Sequence, residues 1–288
     1  MVSGFTIIKN AVVNDYPIVE AINSILPVVD EMIVLVGDCS DGTLELIAGI
    51  ADTKIKIHHS VWNAALQQGG QVLAAETDKA FALINPLADW AFYIQADEVV
   101  HEKYYEAIKA ACEKYQNDKA VMGLLFNYLH FYGTYDYVGD SRRWYNCETR
   151  IIRNNKNITS YKDAQGFRMG QKKLLVKAID AFVYHYGWVK SPQQMLNKQR
   201  HVARYWDSTA EAQPPLTPAD FFDFKDFDSL AKFTGTHPAA MQQRIALQNW
   251  SLDIDISKKR FSVKDKLLYY FEKISGIRLF DFSNHRKI

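Results

Sequence analysis

Gln95-Ala96-Asp97-Glu98 follows directly on the apolar run Trp90-Ala91-Phe92-Tyr93-Ile94. Such a run reads as a buried strand, and the carboxylates behind it then stand at the edge of a sheet. Ligands of open α/β sheets bind outside the carboxyl ends of the strands. A carboxylate there can hold a divalent cation, and the cation a diphosphate. The same Asp-Glu pair is also an ordinary helix start, because acids are stabilised near a helix N-terminus. Residues 101–115 do carry a helical spacing, with Tyr104, Ile108, Ala111 and Tyr115 on one face. A second turn, Gly37-Asp38-Cys39-Ser40-Asp41-Gly42, follows the apolar run 32–36 and opens another helix. Asp38 then shares the sheet edge with Asp97. A carboxylate accepts two hydrogen bonds and can read the N–H face of a nucleobase. Asp41-Gly42 reads as turn and cap chemistry.

The elements that must position these groups alternate through the first half of the chain. Strands are expected over 5–8, 32–36, 54–58, 90–94 and 120–131, and helices over 15–26, 43–50, 71–83 and 101–115. This βαβαβ rhythm implies a mostly parallel sheet with helices on both faces. Residues 133–147 read as a polar, aromatic loop, followed by strands over 148–153 and 174–186. Ser191-Pro192 caps a helix reaching about residue 206, with Ser as cap and Pro at its first position. The stretch 210–218 is rich in Pro, Ala and Thr and reads as a linker. Beyond it lie Lys258-Lys259-Arg260 and an amphipathic segment, 264–274. That tail can lie on an anionic membrane surface or dock on its own domain.

The 288 residues are 48% hydrophobic, and 34 Lys/Arg against 33 Asp/Glu leave a formal charge of +1. This balance argues against broad nucleic-acid binding, which goes with strongly basic domains. Three cysteines without a CxxC pair argue against a disulfide framework or a zinc site and fit a reducing cytosol. His58-His59 and His130 lack a third and fourth ligand, and Gly69-Gly70 lacks the Lys-Ser/Thr of a phosphate loop. The N-terminus lacks the basic and apolar regions of a signal peptide. No apolar run approaches the roughly 18 residues that span a bilayer. The expectation is a cytoplasmic protein with no transmembrane segment, able to sit peripherally at the inner face of the membrane.

Taken in order, FTIIKNAVVNDYPIVEAINSIL, DEMIVLVGDCSDGTLELI, GGQVLAAETDKAFA, YIQADEVVHE, ETRIIRNN and YHYGWVKSP resemble family 2 glycosyltransferases of the GT-A fold. The likeness is to bacterial members that build cell-surface glycans, and it covers about residues 5–206. It implies a GT-A-type, Rossmann-like mixed sheet, mostly parallel and flanked by helices, over residues 1–206. A linker and a mostly helical C-terminal extension follow over 207–288.

By this resemblance Asp38 pairs with the nucleobase and Asn10 lines the nucleoside pocket. Asp97 matches the last acid of the DxD-type motif, which binds Mn or Mg, and His185 matches the histidine that completes the metal site. The first acid of that motif is Gln95 here, which can hydrogen-bond ribose or diphosphate but supplies no charge. Lys190, Lys198, Arg200 and Arg204 can neutralise a departing diphosphate. Asp163, in the loop 160–168, is the candidate base, and Asp140 its rival. His130, Tyr132, Trp144 and Tyr145 can form an acceptor wall or pack the core.

The expected activity is transfer of a hexose from a nucleotide-diphosphate sugar to a glycan or lipid-linked acceptor hydroxyl, with inversion. Two alternatives stand beside it. A degenerate transferase would hold a nucleotide or glycan without turnover, as Gln95 allows. A sugar nucleotidyltransferase ranks below, because 9–13 after the first strand is not Gly-rich.

Overall fold

The computed structural model describes residues 1–66, 68–203, 205–206, 216–217, 219–257 and 259–288. Arg204, most of the expected linker 210–218 and Lys258 lie outside the described residues. Val2–Ile8 (β1), Glu31–Val36 (β2), Ile55–His59 (β3) and Trp90–Tyr93 (β4) run parallel in the order β3-β2-β1-β4. β2 and β4 are buried along their whole length, as a sheet covered on both faces requires. Helices Ile18–Ile25 (α1), Thr43–Ala48 (α2) and Gln71–Ala82 (α3) connect them.

Alternation along β2 divides the core. Met32, Val34 and Val36 pack with Ile18, Ile22 and Ile25 of α1, whereas Ile33 and Leu35 pack with Ala80 and Phe81 of α3. Because β2, β1 and β4 are parallel, the turns after β2 and β4 emerge at one edge. Asp38 and Asp97 are thus brought to the same side of the sheet, as the sequence pattern implied.

Beyond β4 the sheet becomes mixed. Glu98–Val100 (β5) and Tyr105–Lys114 (α4) lead to Gly123–Gly133 (β6), Tyr137–Gly139 (β7), Cys147–Arg153 (β8), Ile158–Tyr161 (β9), Gly166–Met169 (β10) and Lys172–Val189 (β11). β8 lies between β4 and β6, antiparallel to both, and β11 runs parallel to β6. Pro192–Ala203 (α5), Leu230–Lys232 (β12), Gln242–Ala246 (α6), Val263–Ser275 (α7) and His285–Lys287 (β13) complete the described elements. The mixed α/β sheet flanked by helices is the expected class.

Three local expectations need correction. Asp97-Glu98 does not open a helix: Glu98–Val100 pairs antiparallel with β11, and α4 starts only at Tyr105. The stretch 160–168 is the closed end of the hairpin β9–β10, not a free loop. The extension expected to be mostly helical also carries strands, because β13 adds to β11 and β12 pairs with β7, which lies inside the stretch read as a loop.

Candidate functional site

A cavity of about 240 Å³ opens at the carboxyl edge of β1 and β4. Lys9, Tyr16, Trp62, Gln95, Asp97, Asp163, Lys198 and Tyr205 are among its lining residues. The segment 95–98 is fixed from below by Glu98. Arg150 donates Nε to Glu98 Oε2 at 2.8 Å and Nη2 to Oε1 at 2.7 Å, and both side chains are fully buried. Tyr128 Oη and the Gln95 amide add bonds of 2.8 and 3.1 Å to the same carboxylate. Glu98 is therefore committed to the scaffold and not offered to a cation. Arg150→Ala is expected to cost about 3–5 kcal/mol, because it strands a buried carboxylate. Urea unfolding reads this directly; a loss below about 1 kcal/mol would mean that Glu98 finds another partner.

Asp97 sits where β11 is irregular. β11 pairs His185 with His130 and then Trp188 with Tyr132, so Tyr186 and Gly187 together oppose Phe131 alone. Such a bulge re-aims the side chains beside it. A Cβ on Gly187 would stand 2.6 Å from Asp97 Oδ2 and 2.8 Å from His185 Nε2, so only glycine lets the two meet. His185 Nε2 and Asp97 Oδ2 are 3.7 Å apart. On the far side, His130 Nε2 faces the Tyr145 carbonyl at 2.7 Å, and its Nδ1 faces His185 Nδ1 at 3.2 Å. Burial and the neighbouring His185 push His130 down to about 3, so it is neutral. Its proton belongs on Nε2, facing a carbonyl, which leaves Nδ1 to accept from His185. His185 Nδ1 then donates to His130, and Nε2 is the ring nitrogen that faces Asp97.

The cations come from α5 and β1. Lys198 Nζ lies 3.4 Å from Asp97 Oδ2, donates to the Gly187 carbonyl at 2.9 Å and stands over the Tyr16 ring. Burial pushes the Asp97 carboxyl up, but His185, Lys198 and Lys190 together hold it well below the usual carboxylate range. Lys190 is fully buried, donates to the Asp15 carbonyl, and is brought down to about 7 by burial and by Lys198. Lys9 pairs with Asp38 at 2.6 Å and lies 5.7 Å from the Trp62 ring centre. Asp38 also accepts from the Trp62 amide at 3.0 Å, so it braces one wall while its side chain stays 45% exposed. Trp62 in turn packs against Tyr205 with ring centres 5.3 Å apart.

Asp163 enters the cavity from the tip of the β9–β10 hairpin. Its neighbours Lys162 and Ala164 both have left-handed backbone, at φ 57° and 63°. Side chains other than glycine take this conformation at a cost of about 1 kcal/mol or more each, so surrounding bonds must hold it. Gln95 Nε2 donates to the Ala164 carbonyl at 3.2 Å, and Arg150 Nη1 to the Gln165 carbonyl at 2.9 Å. Gln95 thus ties the strand of Asp97 to the hairpin of Asp163. Gly70, at φ 73°, packs directly under Asp163, where a Cβ would come within 2.5 Å of the Asp163 Cβ.

The other residues singled out from the sequence lie apart from the cavity lining. Asn10 is buried, with left-handed backbone, and its Oδ1 accepts from the Ser40 amide at 2.8 Å, which shapes the turn that carries Asp38. Asp140 is bonded to Ser229, Lys259 and Tyr269. Tyr132 is buried against Phe224 and Phe227, and His130 is buried between Trp144 and Tyr145. Trp144 and Tyr145 themselves are only half-buried. Trp62, Lys9, Tyr16 and Tyr205 were not found from sequence. Trp62 does follow the strand at 55–59 at the same sheet edge, which is the one signal that could have singled it out.

Neither a protein-family model nor a curated protein matches the sequence. Among solved structures the chain is similar to S. aureus TarS 1–349 in complex with UDP, at 15% identity and a TM-score of 0.41, over 71% of this chain and 65% of that one. It is also similar to glucosyl-3-phosphoglycerate synthase from Mycobacterium tuberculosis in complex with Mn2+, uridine-diphosphate and phosphoglyceric acid. That likeness has 17% identity and a TM-score of 0.29, over 45% of this chain and 43% of that one. In both cases the match spans less than two thirds of the solved chain.

Proposed function

We propose that the chain is a glycosyltransferase that moves a sugar from a nucleotide-diphosphate sugar to an acceptor hydroxyl, with inversion. The observation that supports this is one cavity holding a half-buried ionised carboxylate, two lysines, flat aromatic walls and a second, separate carboxylate. Lys9 and Lys198 suit the charges of a diphosphate. Trp62 and Tyr205 offer faces on which a base or sugar ring can stack. The anomeric carbon loses its bond to the diphosphate oxygen as the acceptor oxygen attacks from the opposite face. Asp163 takes the hydroxyl proton. Lys198, already beside Asp97, meets the negative charge as the diphosphate leaves.

Asp97 and His185, 3.7 Å apart, are the residues that would hold a divalent cation, Mn or Mg. One carboxylate and one lone-pair nitrogen are a minimal protein set, and Mg²⁺ is often held by one or two carboxylates with substrate phosphates. Among the described residues no group of three or more His, Cys, Asp or Glu converges, so a cation held here would rely on the donor and water for the rest of its ligands. When bound, the cation supplies Lewis-acid stabilisation of the leaving diphosphate. The acceptor is assigned to the glycan or lipid-linked class, as in cell-surface glycan synthesis at the cytoplasmic side.

A thermal-shift screen of nucleotide-sugars with and without Mn²⁺ tests the reading. A ligand at about a hundred times its Kd adds about 2.7 kcal/mol to the native state. One nucleotide-sugar should raise the melting temperature selectively, and the same compound should release nucleoside diphosphate on incubation. A shift without any release points to a binding protein. No shift with any nucleotide-sugar overturns the donor assignment.

A further inference from the structure

The amphipathic segment does form α7, but its apolar stripe faces solvent. Val263, Leu267, Phe271 and Ile274 succeed one another along one helix face and are 81%, 69%, 42% and 87% exposed. Within α7 only Tyr269 is buried, its hydroxyl bonded to Asp140 at 2.9 Å. Arg142 holds Glu272 on the same inner side at 2.8 Å. The helix is thus pinned to the domain by polar contacts while its apolar face is turned away, the reverse of ordinary docking. The apolar surface continues past the helix through Ile277, Phe280 (88% exposed) and Phe282 (60% exposed). Contiguous apolar surface on this scale marks an interaction site.

The charge around it is mostly positive. Residues 259–288 carry eight Lys/Arg against three Asp/Glu, in a chain whose total is only +1. The Phe282 ring lies 4.9 Å from Lys162 Nζ and 5.8 Å from Lys173 Nζ. Lys173 in turn lines a cleft of about 500 Å³ with Lys119, Lys172 and Arg286. Apolar side chains fringed by cations fit a surface that is apolar within and anionic at its rim.

We propose that this face docks on an anionic lipid bilayer. The α7 stripe with Phe280 and Phe282 enters the acyl boundary, and the lysines meet the headgroups. At 13 residues α7 is too short to span a bilayer and lies in its plane. A second copy of the chain fits less well, because a symmetric pairing sets like-charged rims against each other. Docking does not depend on sugar transfer. It does bring Lys162, next to Asp163, to the lipid side, where a lipid-linked acceptor would arrive.

The test is co-sedimentation of the full chain with phosphatidylglycerol/phosphatidylcholine vesicles and with phosphatidylcholine vesicles alone. Binding should require the anionic lipid and loosen with salt. The double variant Leu267→Glu, Ile274→Glu should partition roughly a hundredfold more weakly. Phe280→Ser, outside the helix, should weaken binding in the same direction. Both should keep the wild-type melting temperature, since these side chains are exposed. Absence of vesicle binding overturns the proposal, as does binding unaffected by either variant. So does sedimentation equilibrium in which the wild type is a dimer and the double variant a monomer without any change in vesicle binding.

Discussion

Asp97→Asn is expected to lower sugar transfer by about a hundredfold or more and to abolish the Mn²⁺-dependent part of donor binding. The size follows from the several kcal/mol that a bound cation contributes to a leaving diphosphate. Asn keeps the shape of the side chain and removes the charge. That charge is what the surroundings are built to keep: His185, Lys198 and Lys190 outweigh burial and hold the carboxyl ionised far below neutral pH. In the Asn variant Lys198 loses its counter-anion and is free for the diphosphate, so metal-free donor binding should hold or strengthen while the Mn²⁺-dependent part is lost. The measurement is turnover beside a donor titration at several Mn²⁺ concentrations, with a thermal melt to confirm folding. Wild-type turnover in the Asn variant would sink the assignment of Asp97 to the cation and the diphosphate. Loss of turnover with an unchanged Mn²⁺ response would instead assign Asp97 to the lysines alone.

Much of the scaffold behind this site was legible because buried parallel strands are plain apolar runs. Met32–Val36 and Trp90–Ile94 read as strands, and carboxylates closing such runs must lie at one sheet edge. Asp97 lines the cavity at that edge, and so does Asp163, which the family resemblance rather than the strand pattern singled out. What stayed hidden depends on contacts far apart in sequence. Lys198 meets Asp97 across 101 positions, and no local pattern announces it. Gln95 looks like a weakened ligand in the sequence, yet its amide ties the Asp163 hairpin across 69 positions. β9 and β10 are four residues each and carry Ser160 and Arg168, too short and too polar to show an alternation. The outward face of α7 was hidden for another reason. Periodicity reports that a stripe exists and not which way it points.

Asp163→Asn is expected to bind donor and cation normally and to transfer sugar about 10²–10⁴-fold more slowly, the range for loss of a positioned base. A base acts as the acceptor hydroxyl attacks, so its removal should fall on kcat and leave donor affinity nearly unchanged. The geometry supports Asp163 over Asp140. Asp163 lines the same cavity as Asp97, on a hairpin tip whose left-handed backbone at 162 and 164 is held by Gln95 and Arg150. Asp140 is bonded to Ser229, Lys259 and Tyr269. Against burial, these three hold its carboxyl below its ordinary value, which makes it a poorer proton acceptor. Asp140→Asn should therefore leave turnover within a few-fold of wild type while lowering stability by about 1–3 kcal/mol, as expected where a hydrogen-bonded charge is removed. Gln95→Ala, which frees the Ala164 carbonyl, should lower kcat in the same direction as Asp163→Asn but by less, since the base remains and only its tether is lost. If Asp140 carries the large turnover loss and Asp163 does not, the base is the other carboxylate. If neither variant slows transfer, the acceptor is deprotonated elsewhere and the inverting assignment falls with it.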